Sequence, residues 1–378
     1  MQAAQVKAYE SGTVLYMAME LSNRKWKLGF GNGSKLRRKS IEARDRQRCL
    51  EEVALAKVKL KLPADAPVVC CFEAGRDGHW IYRWLVSEGF EVLEIDSSSI
   101  ETPRGRKHVK TDRVDVEKLL DLLIRHHCFG LRKAFRVVRV PSATAEAGLR
   151  LHREDEYLLR QRTRISNRIK GLLVAQGMVE VSLRGDFVGR LEQCRLWNGE
   201  GLSAELKTEL RRMHAQYEVF DGQLKELAED YAEELLADTP LAEARRRLES
   251  FKGIGAKSSR VLSAEVFAWR KFANSKQIGA MSGLTPTPSQ SGDTETEQGI
   301  SKAGNRRVRR LMIELAWLWL RWQPESALSQ WFNRRFANNG KRMRRIGIVA
   351  LARKLLIALW RYTEHGVIPE GAVLKTQG

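Results

Sequence analysis

One short acidic stretch raises the chemical question. Asp112 and Asp115 stand one helical turn apart in Lys110-Thr-Asp-Arg-Val-Asp-Val-Glu-Lys-Leu-Leu, and Val116, Leu119, Leu120 and Leu123 follow at helical spacing. Residues three and four apart share a helix face, so both carboxylates point with Val116 and Leu119 toward whatever the helix packs on. A carboxylate there needs a partner, because removing it from water unpaired is costly. A divalent cation is one such partner. The plainer alternative is a helix start, with Thr111 as N-cap and the aspartates complementing the helix dipole. Two more carboxylates fall at strand ends: Glu20 after the strand-like run 13–20, and Glu73 near the end of the apolar run 67–74. Four such groups brought together would hold two Mg2+ or Mn2+ ions about 4 Å apart through hard oxygen ligands alone. Asp96, just after a short strand at 91–95, is a rival fourth ligand that ranks below the aspartate pair.

A second set of reactive groups lies far along the chain. Residues 284–298 are rich in Pro, Ser, Thr and Gly and read as a loop, with Ser289 and Ser291 in it. Lys302, Gly304 and Asn305 then lead into a helix bearing Arg306, Arg307, Arg309 and Arg310, and Lys302, Asn305 and these four arginines are candidate nucleic-acid contacts. A serine hydroxyl there is a candidate nucleophile toward a phosphodiester, with the arginines neutralising the phosphate oxygens bidentately. Against this stands an ordinary Ser-Gly loop with no catalytic part. Upstream, Gly253-Ile254-Gly255 forms a tight turn between two helices, and its amides with Lys257 suit a phosphate. It is similar to a helix-hairpin-helix element, which binds nucleic-acid backbone without reading sequence; the alternative is a purely structural turn.

The elements that must position these groups follow from patterning. Strands are expected at 13–20 and 26–30, with turns at 22–25 and 31–34 and a third strand near 37–41. A helix from about Asp45, the continuous apolar strand 67–74, a helix with Ile81, Trp84 and Leu85, and the strand 91–95 come next. The order βββαβαβα is that of a ribonuclease-H-like α/β domain, spanning 1–130, which places carboxylates at central strand ends and on a flanking helix. Residues 143–240 read as two long charged helices with narrow apolar stripes, separated by an irregular Gly-containing segment at 182–201, and are expected to form a coiled-coil or dimerisation arm. A mostly helical C-terminal domain is expected at 245–365, and 366–378 as a mobile tail. Its aromatics Trp317, Trp322, Trp331, Phe332 and Trp360 suit helix packing, or stacking on RNA bases.

Charge names the partner class. Lys and Arg number 66 against 46 Asp and Glu, a net charge of +20 that calls for an acidic polymer, most simply nucleic acid. No run of 18 apolar residues supports a membrane span, and the N-terminal residues lack a signal-peptide core. Five cysteines without a CxxC pair fit neither a disulfide framework nor zinc and suit a reducing cytoplasm. The histidines show no zinc-hydrolase spacing.

Gly283-Leu-Thr-Pro, Ser291-Gly292 and Ile300-Ser-Lys-Ala-Gly-Asn-Arg-Arg-Val-Arg-Arg together resemble the C-terminal domain of insertion-sequence transposases with an acidic DEDD tetrad, the bridge-RNA-guided serine recombinases. Lys110-Thr-Asp-Arg-Val-Asp matches that family's KTDxxD element, and Phe72-Glu73-Ala-Gly its second acidic element. The likeness spans about residues 13–360. It implies a first domain like the RuvC-type junction resolvases and a tetrad of Glu20, Glu73, Asp112 and Asp115 on Mg2+ or Mn2+. It further implies Ser291 as the residue that forms a covalent 5′-phosphoserine, with Ser289 as its competitor. A structured non-coding RNA would pair with donor and target DNA. A homodimer, whose subunits share a composite active site, would assemble to a tetramer in a bacterial cytoplasm at the nucleoid. The chain departs from the pattern at its first acid, where Glu20 replaces the usual aspartate. The alternatives are a metal-dependent junction resolvase or nuclease without serine chemistry, and a non-catalytic nucleic-acid-binding protein.

Overall fold

The computed structural model describes residues 13–75, 77, 79–100, 112–131, 135–178, 181–291 and 294–375, and within these not the side chains of 98, 112–115, 288–291 and 294–298. The chain divides into two compact units, Met1–Pro141 and Ser142–Gly378; the arm expected at 143–240 falls within the second.

In the first unit the order is β1 (Leu15–Leu21), β2 (Lys25–Gly31), β3 (Leu36–Glu42), α1 (Arg46–Lys59), β4 (Val68–Glu73), α2 (Trp80–Ser87), β5 (Glu91–Ile95) and α3 (Asp112–Cys128). This is the expected βββαβαβα order. The sheet runs β3-β2-β1-β4-β5, antiparallel through the meander and parallel from β1 to β4 and β5. Local chemistry fixes the turns. Ser22 Oγ accepts from the Lys25 amide, and Asn32 Oδ1 accepts from the Ser34 and Lys35 amides beside Gly33, which has φ +91°. Asp45 caps α1 through the Arg48 amide.

Strand alternation sorts the core into two layers. Leu15, Met17, Met19, Phe72 and Cys70 face one way, against Cys49 and Val53 of α1 and Ile81 and Leu85 of α2. Tyr16, Ala18, Val69 and Cys71 face the other way, against Val116, Leu119, Leu120 and Leu123 of α3. Gly29 lets α3 sit close to the sheet: a Cβ there would lie 3.3 Å from Val116 Cγ2.

The second unit starts with α4 (Ala143–Val174), α5 (Phe187–Gln193) and α6 (Ala204–Leu236). The segment expected to be irregular carries α5, which Asp186 caps by accepting from the Gly189 amide, so Phe187 and Leu191 close the end of the arm. The two long helices pair with each other within one chain. Leu158 packs with Leu227 and Tyr231, Arg162 pairs with Asp221 at 2.6 Å, and Arg168 with Glu209 at 2.8 Å. One partner's number falls as the other's rises, which makes the pair antiparallel.

Then follow α7 (Pro240–Glu249), α8 (Ala256–Leu262) running into a π turn at Ser263–Phe267, α9 (Ser275–Ser282), β6 (Pro286–Ser291), β7 (Thr294–Ile300), α10 (Arg306–Trp322), α11 (Ala327–Phe336) and α12 (Gly340–His365). Leu248, Phe251, Leu262, Met312, Trp319, Phe332, Leu355 and Leu359 share one core. Phe332 and Trp360 belong to that packing, whereas Trp317 and Trp322 keep exposed rings with Arg344 and Arg321 over them.

Two expectations are corrected here. Residues 284–298 are not an irregular loop. They build most of the antiparallel hairpin β6–β7, with a register shift at Pro286/Pro288. Its strands are polar, which reads as a loop in sequence, but three threonines favour the extended backbone. The C-terminal segment is packed rather than mobile as far as Lys375. The Gln323 side chain accepts from the Val373 amide and donates to Val373 and Lys252 carbonyls, and Lys375 N donates to Ser250 O. Residues 376–378 lie outside the described set.

Candidate active site

The parallel register of β1 on β4 ends with Met19 opposite Phe72, so Glu20 and Glu73 are the next residues on adjacent strands. Alternation puts both on the face that carries Tyr16, Ala18, Val69 and Cys71, the face α3 covers. The direction of α3 follows from its contacts. Val116 lies beside Gly29, which pairs with Ala18, whereas Leu120 and Ile124 approach Gly31, which pairs with Tyr16. At the far end, His127 Nδ1 and Cys128 Sγ reach Tyr16 Oη at 3.0 Å. The start of α3, at Asp112, therefore lies toward the sheet end that carries Glu20 and Glu73. The side chains of Asp112 and Asp115, and the expected N-cap Thr111, lie outside the described residues. Among the described residues no group of three or more His, Cys, Asp or Glu side chains is placed to hold a metal ion.

The rival Asp96 directly follows Ile95, the last residue of β5. It pairs with Arg136 at 3.1 Å, and alternation along β5 groups it with Glu94, which faces away from Leu93 and Ile95 and is buried against His79.

In the second unit, Ser291 is the last residue of β6, paired with Thr294 across the hairpin tip, and Ser289 pairs with Thr296. Two residues apart on one strand, they share a ribbon face; their side chains and Gly292 lie outside the described residues. The base of this hairpin is locked. The segment 301–305 crosses the end of α9 backbone to backbone: Ser301 N donates to Thr285 O, Lys302 N to Gly283 O, and Asn305 N to Met281 O at 2.7 Å. Two glycines permit the crossing. A Cβ at Gly283 (φ +67°) would lie 2.3 Å from Ala303 O, and one at Gly304 (φ +116°) 2.3 Å from Met281 O. Arg309 Nη1 ties the crossing further by donating to Ser282 O and Lys302 O.

Behind the crossing sits a buried polar cluster that sequence reading missed. Glu265, in the π turn, accepts from His152 Nε2 at 3.0 Å, from Arg153 Nε and Nη2 at 3.3 Å, and from Asn305 Nδ2 at 2.8 Å. Asn305 Oδ1 meanwhile accepts from the Arg307 and Val308 amides and caps α10. Burial alone would raise the Glu265 carboxyl. The His152 hydrogen bond, the Arg153 charge and the Asn305 amide outweigh it and hold the group at about 2. The available signal was an acid inside the apolar run Val261-Leu-Ser-Ala-Glu-Val-Phe.

The basic residues divide by role. Arg307 pairs with Glu156 of α4 at 3.0 Å and Arg310 with Glu314 at 3.6 Å, and Arg309 is committed to carbonyls. Arg306 and Lys302 are exposed. Gly253 takes φ +90° in the α7–α8 turn, and Gly255 caps α8 with Lys257 exposed. Lys375 Nζ covers the other side of that turn by donating to Glu249 O and Ile254 O.

Known proteins resemble this chain over most of its length. The description "Transposase IS116/IS110/IS902 family" matches residues 245–330, which contain the turn, the hairpin and the crossing. A protein of Sinorhizobium fredii named as a transposase, y4rJ, is 39% identical over 96% of this chain and 95% of its own length. The transposase for insertion sequence element IS1328 of Yersinia enterocolitica is 24% identical over 80% of this chain and 85% of its own. That for IS1111A of Coxiella burnetii is 27% identical over 63% of this chain and 62% of its own. The chain belongs to the IS116/IS110/IS902 family of transposases, enzymes of DNA transposition.

Proposed function

We propose that this transposase moves its insertion sequence by serine chemistry assisted by a carboxylate metal site, with a structured RNA from the element choosing the DNA. The observation that carries the reading is the shared end and face of Glu20 and Glu73, on the side where α3 begins with Asp112. The strand order β3-β2-β1-β4-β5 supports a ribonuclease-H-like, RuvC-type reading of the first unit. All four candidate ligands are carboxylates, a hard-oxygen set that fits Mg2+ or Mn2+. The longer Glu20 reaches one methylene further than an aspartate and supplies the same atoms. When bound, such ions would neutralise phosphate charge and polarise the scissile ester.

The rest falls to the chain's own residues. Ser291 Oγ attacks the phosphorus. A P–O bond to serine forms, the P–O3′ bond breaks, and the 3′ oxygen leaves with a proton as a hydroxyl. In the rejoining step a 3′ hydroxyl of the other DNA attacks the phosphoserine and returns the proton to Ser291. Bond energy is conserved through the covalent intermediate, so no external energy source is needed. Lys302, Arg306 and the Gly253–Gly255 turn with Lys257 are proposed contacts to nucleic-acid phosphates, which give affinity without sequence information. The composite arrangement draws the carboxylates and the serine from different subunits of a dimer that pairs into a tetramer.

The test is a recombination assay in cells carrying the insertion sequence on a plasmid, with trapping of covalent protein–DNA adducts. Ser291→Ala should abolish both adduct and recombination, and Ser289→Ala should spare them. Asp112→Ala with Asp115→Ala should abolish cleavage and leave DNA binding intact. Unchanged recombination by Ser291→Ala would sink the serine mechanism, and retained cleavage by the aspartate pair variant would sink the metal site.

A further inference from the structure

The serine hairpin is a two-stranded ribbon, and such a ribbon has little stability of its own. Its aim is therefore set at its base. The base is the crossing of 281–285 with 301–305, and the crossing leads directly into Asn305. The Asn305 amide is fully oriented: its oxygen is taken by the first amides of α10 and its nitrogen by Glu265 Oε2. If the amide turned over, its NH2 would face helix amides and its oxygen would face a carboxylate. Glu265 is itself held from the other side by His152 and Arg153 of α4, at the root of the arm. It is 1% exposed and sits in a π turn, where Ala268 N donates to Ser263 O and Arg270 Nε takes up the Glu265 carbonyl. Such turns, which insert an extra residue into a helix, recur at functional sites.

We propose that Glu265 is a positioning residue for strand exchange: through the Asn305 side chain it fixes the crossing that aims the β6–β7 hairpin, and it ties that aim to the arm through His152 and Arg153. The inference rests on the reading of Ser291 as nucleophile. It adds a buried acid that bonds the residue at which the hairpin's base enters α10. A carboxylate can only accept, so His152 Nε2, Arg153 and Asn305 all donate to it. The whole set thus has one donor–acceptor pattern, and that pattern can be inverted at a single link.

Asn305→Asp keeps an oxygen for the α10 cap and turns a second oxygen toward the Glu265 carboxylate, so acceptor meets acceptor. Glu265→Gln forces an NH2 against either the Asn305 amide or the His152 and Arg153 donors. The double variant restores every hydrogen bond. The new amide oxygen accepts from His152 and Arg153, and the new NH2 donates to the new carboxylate. A merely structural role would show in stability alone. A direct contact of Asn305 with nucleic acid would not be rescued by Glu265→Gln.

The experiment uses the full chain with three readouts. These are recombination frequency in cells carrying the insertion sequence, affinity of the purified protein for a 30-base-pair duplex of random sequence, and hydrogen–deuterium exchange of the 284–305 peptide. Each single substitution should lower recombination at least tenfold and speed exchange of that peptide, with duplex affinity held within twofold. The double variant should recover recombination and exchange to within threefold of the parent. The proposal falls if the singles recombine like the parent, or if the double does no better than the worse single. Should the singles not accumulate as folded protein, the double variant alone decides, by recombining or failing to. Ser291→Ala separates the two layers. If it recombines normally, the serine reading fails while the exchange and its rescue still judge the positioning. If it is inactive and the singles are normal, only the positioning inference fails.

Discussion

Replacing Gly304 by alanine probes the crossing that carries the hairpin. At φ +116° the backbone lies in a region that side chains strain to adopt, at about 1–3 kcal/mol. The added Cβ would stand 2.3 Å from Met281 O and 2.9 Å from Ala280 O, where real contacts do not come under 3.0 Å. At least 3.0 − 2.3 = 0.7 Å of separation must open between two backbones. The 2.7 Å bond from Asn305 N to Met281 O sits at that point, and its loss removes about 1 kcal/mol more. The expected destabilisation is about 2–4 kcal/mol, a large share of a domain's margin. Gly299 supplies the control, with φ +88° on the same ribbon and no atom within 4 Å of a Cβ. Its alanine variant should lose only about 1–2 kcal/mol of backbone strain. Urea unfolding of the full chains, followed by tryptophan fluorescence, compares the two, since Trp319 of α10 lies in the core. Equal midpoint shifts for Gly304→Ala and Gly299→Ala would refute the argument that close backbone approach, rather than dihedral strain, fixes this glycine.

Two further outcomes follow from charge. Glu265 titrates at about 2 in the folded chain against an ordinary 4.5, so its contribution is present above about pH 4.5 and is lost as pH falls toward 2. It amounts to about 3 kcal/mol, and the stability gap between the parent and Glu265→Gln should shrink over that window in acid unfolding curves; a pH-independent gap would contradict it. With a net charge of +20, affinity for a random-sequence duplex should fall linearly and steeply on a log–log plot against salt. A flat plot from 50 to 200 mM salt would contradict phosphate-dominated binding.

What the sequence discloses and what it hides divide along physical lines. The α3 stripe, the apolar β4 and the Ser22 and Asn32 turns are legible because burial on one face, burial on both, or a turn residue leaves a local period. Glu20 and Glu73 come together by strand parity, which a residue count can follow across a parallel pair. The hairpin carrying Ser291 has no such period, because its strands are polar and its order comes from the crossing at its base. The packed C-terminal segment is equally silent, since one glutamine side chain holds it through backbone groups that every sequence possesses.

The Glu265–Asn305 link is the instructive case. Its partners lie 40 residues apart, and His152 lies 113 residues from Glu265. Asn305 looks from sequence like one more polar residue at the head of an arginine helix, suited to a phosphate. In the fold its oxygen is used by α10 and its amide by Glu265, while Arg309 beside it serves carbonyls. Residues that appear built to touch nucleic acid are thus partly spent on holding the serine ribbon. The same economy explains why the cluster is ionic although buried. Replacing a buried charged cluster by apolar groups often stabilises a protein, so this cluster is weak evidence for stability and fits the proposed role in specifying geometry. Here the specified geometry is the direction of a ribbon that has no core of its own to fix it.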